Sequence, residues 1–176
     1  MAKREALREL QSRLAERLQQ ARTEERAVSW LAVECAGLGL LFPLPTAGEI
    51  FSVGTLLPVP HSQKWFMGVA NLRGGLHGVV DLAAFLGLRA PIARDAVREQ
   101  ARLLAFNARS GAHCAVLVDR LSGLRSAGQL SSEPADDDSP RPAFAGPRWR
   151  DDAGHIWQEI DLAALARNEQ FLAVSA

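Results

Sequence analysis

A chain of 176 residues with 48% hydrophobic and 23% charged residues has ordinary globular composition, and it is long enough to bury a core without disulfide or metal staples. Its 20 basic and 20 acidic residues cancel, so net charge gives no reason to expect nucleic acid or an anionic membrane as partner. Cys35 and Cys114 stand far apart on apolar segments and read as reduced, buried thiols. The charged N-terminus has no signal-peptide core, and no apolar run approaches the roughly 18 residues that span a bilayer. The expectation is a cytoplasmic chain without direct membrane insertion.

Residues 3–26 read as a helix, with Leu7, Leu10, Leu14, Leu18 and Ala21 forming a narrow apolar seam at spacings of three and four. From Ser29 the period becomes two. Trp30–Cys35 predicts a strand with Leu31, Val33 and Cys35 on one face, Gly37 to Gly39 a turn, and Leu40-Leu41-Phe42 a second strand ended by Pro43 and Pro45. Thr46 to Phe51 reads as a short helical or irregular turn. Thr46 can act as N-cap and Glu49 stands three residues later, as in a capping box. Leu56 to Pro60 is a loop or edge strand.

Trp65 to Leu88 is the densest pattern. Met67–Leu72 and Leu76–Leu82 flank Gly74-Gly75, which suits a two-residue primed turn because both central residues need positive φ. Asp81 is placed to cap a helix over Leu82 to Leu86, and Gly87 to end it. Arg73 is a full charge at the lip of an apolar hairpin. It reads either as a partner-binding group or as a structural arginine paired within the fold with Glu49. Gly68 reads either as a close-packing strand residue or as the floor of an interface.

After Leu88, residues 89–100 read as a linker. Arg102–Asn107 and His113–Asp119 are strands joined across 108–111, with Cys114, Val116 and Val118 on one face. Ser122–Leu130 is weakly patterned, and Ser131–Pro142 is a polar, proline-flanked acidic loop. Asp151 to Gly154 is a turn between two strands. Ile160-Asp161-Leu162-Ala163-Ala164-Leu165 then echoes Val80-Asp81-Leu82-Ala83-Ala84-Phe85, which points to two related halves, each a strand set closed by an Asp-capped helix.

No hydrolase elbow, phosphate loop or metal-ligand spacing occurs. The four histidines are read as isolated from one another, and His77 and Asp81 are too far apart along a strand to bond. No cofactor and no catalytic residue is expected.

The pattern W-x-x-G-V-x-N-L-R-G at 65–74, V-V-D-L at 79–82 and F-L-G-L at 85–88, with Ala47-Gly48-Glu49-Ile50 upstream, resembles the CheW-like family of chemotaxis coupling proteins, and within it the PilI-like branch associated with type IV pilus twitching motility. The resemblance implies a mainly β fold of two small five-stranded SH3-like β-barrels packed together, with an N-terminal amphipathic helix and short helices. The expected division is an N-terminal extension at 1–27, a first half at 28–90 and a second half at 91–176. It implies a non-enzymatic adaptor joining the helical tip of a chemoreceptor to the regulatory domain of a CheA-like histidine kinase. Arg73, Glu49, Gly68, Asn71, Gly74 and Ala47 are the implied partner-binding residues. In that picture the receptor tip lies in a groove between the barrels near Arg73, and the kinase meets the end of the first barrel around Ala47 to Glu49 and Gly68. The alternative is a β-barrel small-molecule-binding or enzymatic domain using the inter-barrel groove.

Overall fold

The computed structural model describes residues 29–107, 111–134 and 140–176, so the helix expected at 3–26 and much of the acidic loop lie outside the described residues. The strands are β1 (Ser29–Cys35), β2 (Leu38–Pro43), β3 (Ala47–Ser52), β4 (Phe66–Leu72), β5 (Gly75–Asp81), β6 (Arg102–Phe106), β7 (Cys114–Val118), β8 (Arg120–Ser126), β9 (Leu130–Glu133), β10 (Ala145–Asp151) and β11 (Ile156–Ile160). Among the described residues three four-residue helices accompany them: α1 (Leu82–Phe85), α2 (Leu162–Leu165) and α3 (Glu169–Leu172).

The strands form two sheets, a six-stranded one in the order β8-β1-β2-β11-β10-β9 and a five-stranded one in the order β3-β6-β7-β5-β4. Strands are exchanged across position 90: β1 and β2 join β8 to β11, while β6 and β7 join β3 to β5. The expectation of two closed five-stranded barrels is corrected, because no ladder among the described residues joins the outer strands of either sheet. The five-stranded sheet does curl. Past the end of β3, Leu57 laps onto the open edge of β4 at Val69, through two backbone hydrogen bonds of 2.8 Å.

The sheets share one core and each also holds its own. Leu31, Val33, Leu40 and Phe42 of the first sheet pack with Val80, Leu104, Val116 and Val118 of the second. The opposite faces of the same strands pack inside each curl: Met67, Val79, Leu103 and Leu117 in one, and Trp30, Leu41 and Trp157 in the other. β1 and β7 are therefore buried on both faces, which explains their nearly unbroken apolar letters. At about 1.5–3 kcal/mol for each large side chain buried, these three layers account for the fold without staples. Between the sheets an aromatic cluster closes the centre, with Phe171 stacked on Phe106 at 5.7 Å and edge-on to Phe85 at 5.3 Å.

The suspected repeat exists in three dimensions. Asp81 ends β5 and caps α1, accepting from the Ala84 N–H at 3.3 Å. Asp161 follows β11 and caps α2, accepting from Ala163 and Ala164 at 2.8 and 3.0 Å. Each Asp donates its own N–H to the residue ahead of the paired strand, Trp65 or Phe144, at 2.8 Å. β5 runs parallel to β7 and β11 parallel to β2.

Three local expectations are corrected. Residues 47–52 are strand, not a capped helical turn: pairing with β6 (Ala47 with Phe106, Ile50 with Leu104) outweighs the local box, and the Thr46 hydroxyl donates to the Pro43 carbonyl at 2.9 Å instead. The weakly patterned stretch after Asp119 and the start of the expected loop at Ser131–Pro142 contain β8 and β9, edge strands whose side chains are largely exposed and so leave no alternation to read.

Candidate functional site

The tip of the β4–β5 hairpin carries an exposed charge, Arg73. Leu72 pairs with Gly75, so the two turn residues are Arg73 and Gly74, one position earlier than the Gly-Gly pair suggested. Their φ angles are +51° and +84°, the left-handed values of a primed turn. The Asn71 side-chain oxygen accepts the Gly74 N–H at 2.8 Å and fastens the turn from inside. An arginine in this conformation is uncommon, because its Cβ crowds the backbone.

Arg73 reaches across the curl to β3, where Nη1 donates to Glu49 Oε1 at 2.7 Å. The side chains of Arg73 and Glu49 remain 75% and 52% exposed, so the pair sits in water and is worth about 0.2–1 kcal/mol. Leu76, just beyond the turn, is 63% exposed. Arg73, Glu49, Asn71 and Gly74 thus form one surface, although the resemblance divides Arg73 and Glu49 between two partners.

The other two candidates lie beneath it. Ala47 is half-buried against the shared core. Gly68 is buried at a bulge with φ +120°, and a Cβ there would stand 2.1 Å from the Leu57 carbonyl oxygen. Gly68 is what lets the Leu57 segment lap onto β4.

A charged network that the sequence did not reveal holds this sheet to its neighbour. Arg89, from the stretch read as a linker, donates to Asp81 Oδ2 at 2.7 Å and to Asp119 Oδ1 at 3.2 Å. Asp119 in turn accepts the Ala36 N–H of the β1–β2 turn at 2.6 Å. Burial opposes the Arg89 charge, but the two carboxylates outweigh it and raise its pKa further. Its only sequence signal was an arginine close after a strand-ending aspartate.

On the first sheet, a cleft of about 580 Å³ runs over Trp157, with Arg125 5.2 Å above the indole ring. Its polar groups engage one another: Arg120 bonds Glu34, and the Trp157 indole N–H donates to Asp151 Oδ2 at 3.0 Å. That indole hydrogen bond, against some burial, holds Asp151 below the usual carboxylate range. Burial pushes both thiols up to about 12, so Cys35 and Cys114 are not poised nucleophiles. Among the described residues no three His, Cys, Asp or Glu side chains gather as a metal site. The reading of the histidines as isolated is corrected, since the rings of His77 and His113 meet edge-on with centroids 5.8 Å apart.

Three comparisons agree with this architecture. Residues 29–170 match the model of the CheW-like domain family. Over 104 residues the chain is 27% identical to Protein PilI of Pseudomonas aeruginosa, covering 58% of this chain and 56% of that protein's length. The fold is similar to the crystal structure of the scaffolding protein TtCheW from Thermoanaerobacter tengcongensis, with a TM-score of 0.61 and 16% identity over 77% of this chain and 89% of that one.

Proposed function

Because this chain belongs to the CheW-like domain family, we propose that it is a non-enzymatic, cytoplasmic adaptor linking a chemoreceptor to a CheA-like histidine kinase, in a pathway that controls type IV pilus twitching motility. The observation that carries the proposal is Arg73, an always-charged guanidinium held at positive φ on an exposed turn and tied, among the described residues, to a surface carboxylate. Similarity to Protein PilI supports the pilus output.

In this reading Arg73, Glu49, Asn71 and Gly74 touch a partner, while Ala47 and Gly68 shape the surface from below. Contact opens the Arg73–Glu49 pair. Arg73 then meets a carboxylate or the end carbonyls of a helix in the receptor tip, and Glu49 is freed for a basic group of the kinase regulatory domain. One patch serving both partners fixes their relative geometry, so receptor state biases the kinase through differential contacts. The alternative, a ligand in a groove between the halves, is disfavoured where the shared core and its stacked aromatics pack the two sheets together.

The test is co-purification and calorimetric titration with a receptor signalling tip and with the kinase regulatory domain, each presented separately and then together. Binding of both, weakened by Arg73→Ala, is the expected result. Binding of neither by the folded wild type overturns the adaptor role.

A further inference from the structure

We propose that His77 and His113 form a two-histidine site for a borderline divalent transition metal, nickel, copper or zinc, bridging β5 to the entrance of β7. The inference is independent of the adaptor reading.

Three observations place the ligands. Gly78 pairs with Cys114 on parallel strands, and the Gly78 N–H donates to the His113 carbonyl at 3.0 Å, so the two histidines sit side by side across the sheet. Their rings are in contact, with centroids 5.8 Å apart and planes inclined by 72°. With metal–nitrogen bonds of about 2.0–2.1 Å, one ion bound by both rings needs their nitrogens about 3–4 Å apart, and rings whose centroids lie 5.8 Å apart bring them there by turning towards each other. Third, His77 Nδ1 lies 3.0 Å from the Gly75 carbonyl oxygen. A carbonyl only accepts, so the neutral ring donates from Nδ1 and leaves its Nε2 lone pair free. Metal-ligating histidines are commonly held this way, with the other ring nitrogen donating to a backbone carbonyl or carboxylate.

No third protein ligand joins the pair among the described residues. Water fills the remaining positions, which favours ions that accept imidazole and follow the order of affinity rising to copper. The bonded ion ties β7 to the residues that hold the Arg73 turn, since the same His77 ring is anchored on Gly75.

The probe is nickel(II) titrated into the full chain by calorimetry, with copper(II) followed by electron paramagnetic resonance. The expected result is one saturable nickel site and a copper spectrum with two equatorial nitrogens. Binding is lost in His77→Gln and in His113→Gln, and kept in His61→Gln and His155→Gln. Absence of saturable binding, a single nitrogen, or loss in the His61 or His155 variant instead overturns the site. Should a glutamine variant lose its native circular dichroism, zinc protection of the wild-type histidines from diethylpyrocarbonate decides. Residues 77 and 113 are protected if the site exists, and equal labelling of all four histidines refutes it.

Discussion

Replacing Arg73 separates what the turn needs from what a partner needs. The ion pair to Glu49 is 2.7 Å long but mostly exposed, so its loss costs about 0.2–1 kcal/mol. The left-handed backbone at φ +51° costs a non-glycine residue about 1–2 kcal/mol, and asparagine tolerates it best because its short polar side chain bonds locally. Arg73→Ala therefore keeps the backbone penalty, loses the ion pair and falls by about 0.2–1 kcal/mol. Arg73→Asn loses the same ion pair and relieves the penalty, ending near wild-type stability. The gap between the two variants is about 1 kcal/mol, or roughly 2–4 °C in Tm for a chain of this length. Binding behaves differently: both variants lose a charge-assisted contact of about 1.5–3 kcal/mol, a weakening of about ten- to a hundredfold. Thermal unfolding and calorimetric titration of the three proteins with receptor tip and kinase regulatory domain measure both effects. If Arg73→Asn loses more than about 2 kcal/mol of stability, Arg73 is structural. If alanine and asparagine melt together, the backbone explanation of the turn is wrong.

Other substitutions probe the surroundings. Gly68→Ala places a methyl 2.1 Å from the Leu57 oxygen and loses about 2–4 kcal/mol in urea unfolding. Gly74→Ala, with open space around it and φ +84°, loses only about 1–2 kcal/mol, so equal losses would show that the Leu57 overlap is not tight. Arg89→Met strands Asp81, whose side chain is 1% exposed, and costs about 3–5 kcal/mol. Adding Asp81→Asn recovers part of this, and no recovery would contradict the charge argument. The Asp151 carboxyl is held below its ordinary range by the Trp157 indole. The unfolded chain therefore binds more protons in acid, and this stabilisation is complete above about pH 5 and lost as pH falls through and below the ordinary carboxylate value near 4. Tm measured from pH 7 to 3 should fall less steeply for Asp151→Asn than for wild type, and parallel curves would remove the role assigned to that hydrogen bond.

What could be read in advance was local. Apolar runs located β1, β2 and β4 to β7, because each strand buries one or both of its faces. Asp81 and Asp161 announced their caps, since a side-chain oxygen at the end of an apolar run has free helical N–H groups to accept. The Arg73–Glu49 contact was one of two readings of a charge at the hairpin lip, and it exists. The turn itself was misplaced by one residue: the Gly-Gly pair is the stronger local signal, but Asn71, which fastens the Gly74 N–H, selects Arg73-Gly74. β3 was hidden by a plausible capping box, and β8 by the exposure of an edge strand. The exchange of strands across position 90 had no local signal at all, since the parallel pairing of Trp157 with Gly39 rewards residues from opposite ends of the chain. The same holds for Arg89, and for His77 beside His113.

The duplicated unit shows where the two hairpins differ. β4–β5–α1 and β10–β11–α2 share the Asp cap, the N–H bonded to the residue ahead of the partner strand, and a bulge in the ladder. These are the parts that the shared core demands twice. The hairpin tips point away from that core and are free to differ. One became Arg73-Gly74, fastened by Asn71 and bridged to Glu49 so that its curl is pinched shut. At the other tip, Asp151 accepts the N–H groups of Ala153 and His155, and the curl gapes over Trp157. On the proposed reading a tip suits a coupling surface, because a tip alters contact chemistry without disturbing the packing beneath it. Exchanging residues 73–74 for the 152–154 tip, with Asn71 retained, should leave the cooperative unfolding transition intact and remove partner binding. A collapse of the transition would show instead that the Arg73 tip belongs to the folding core.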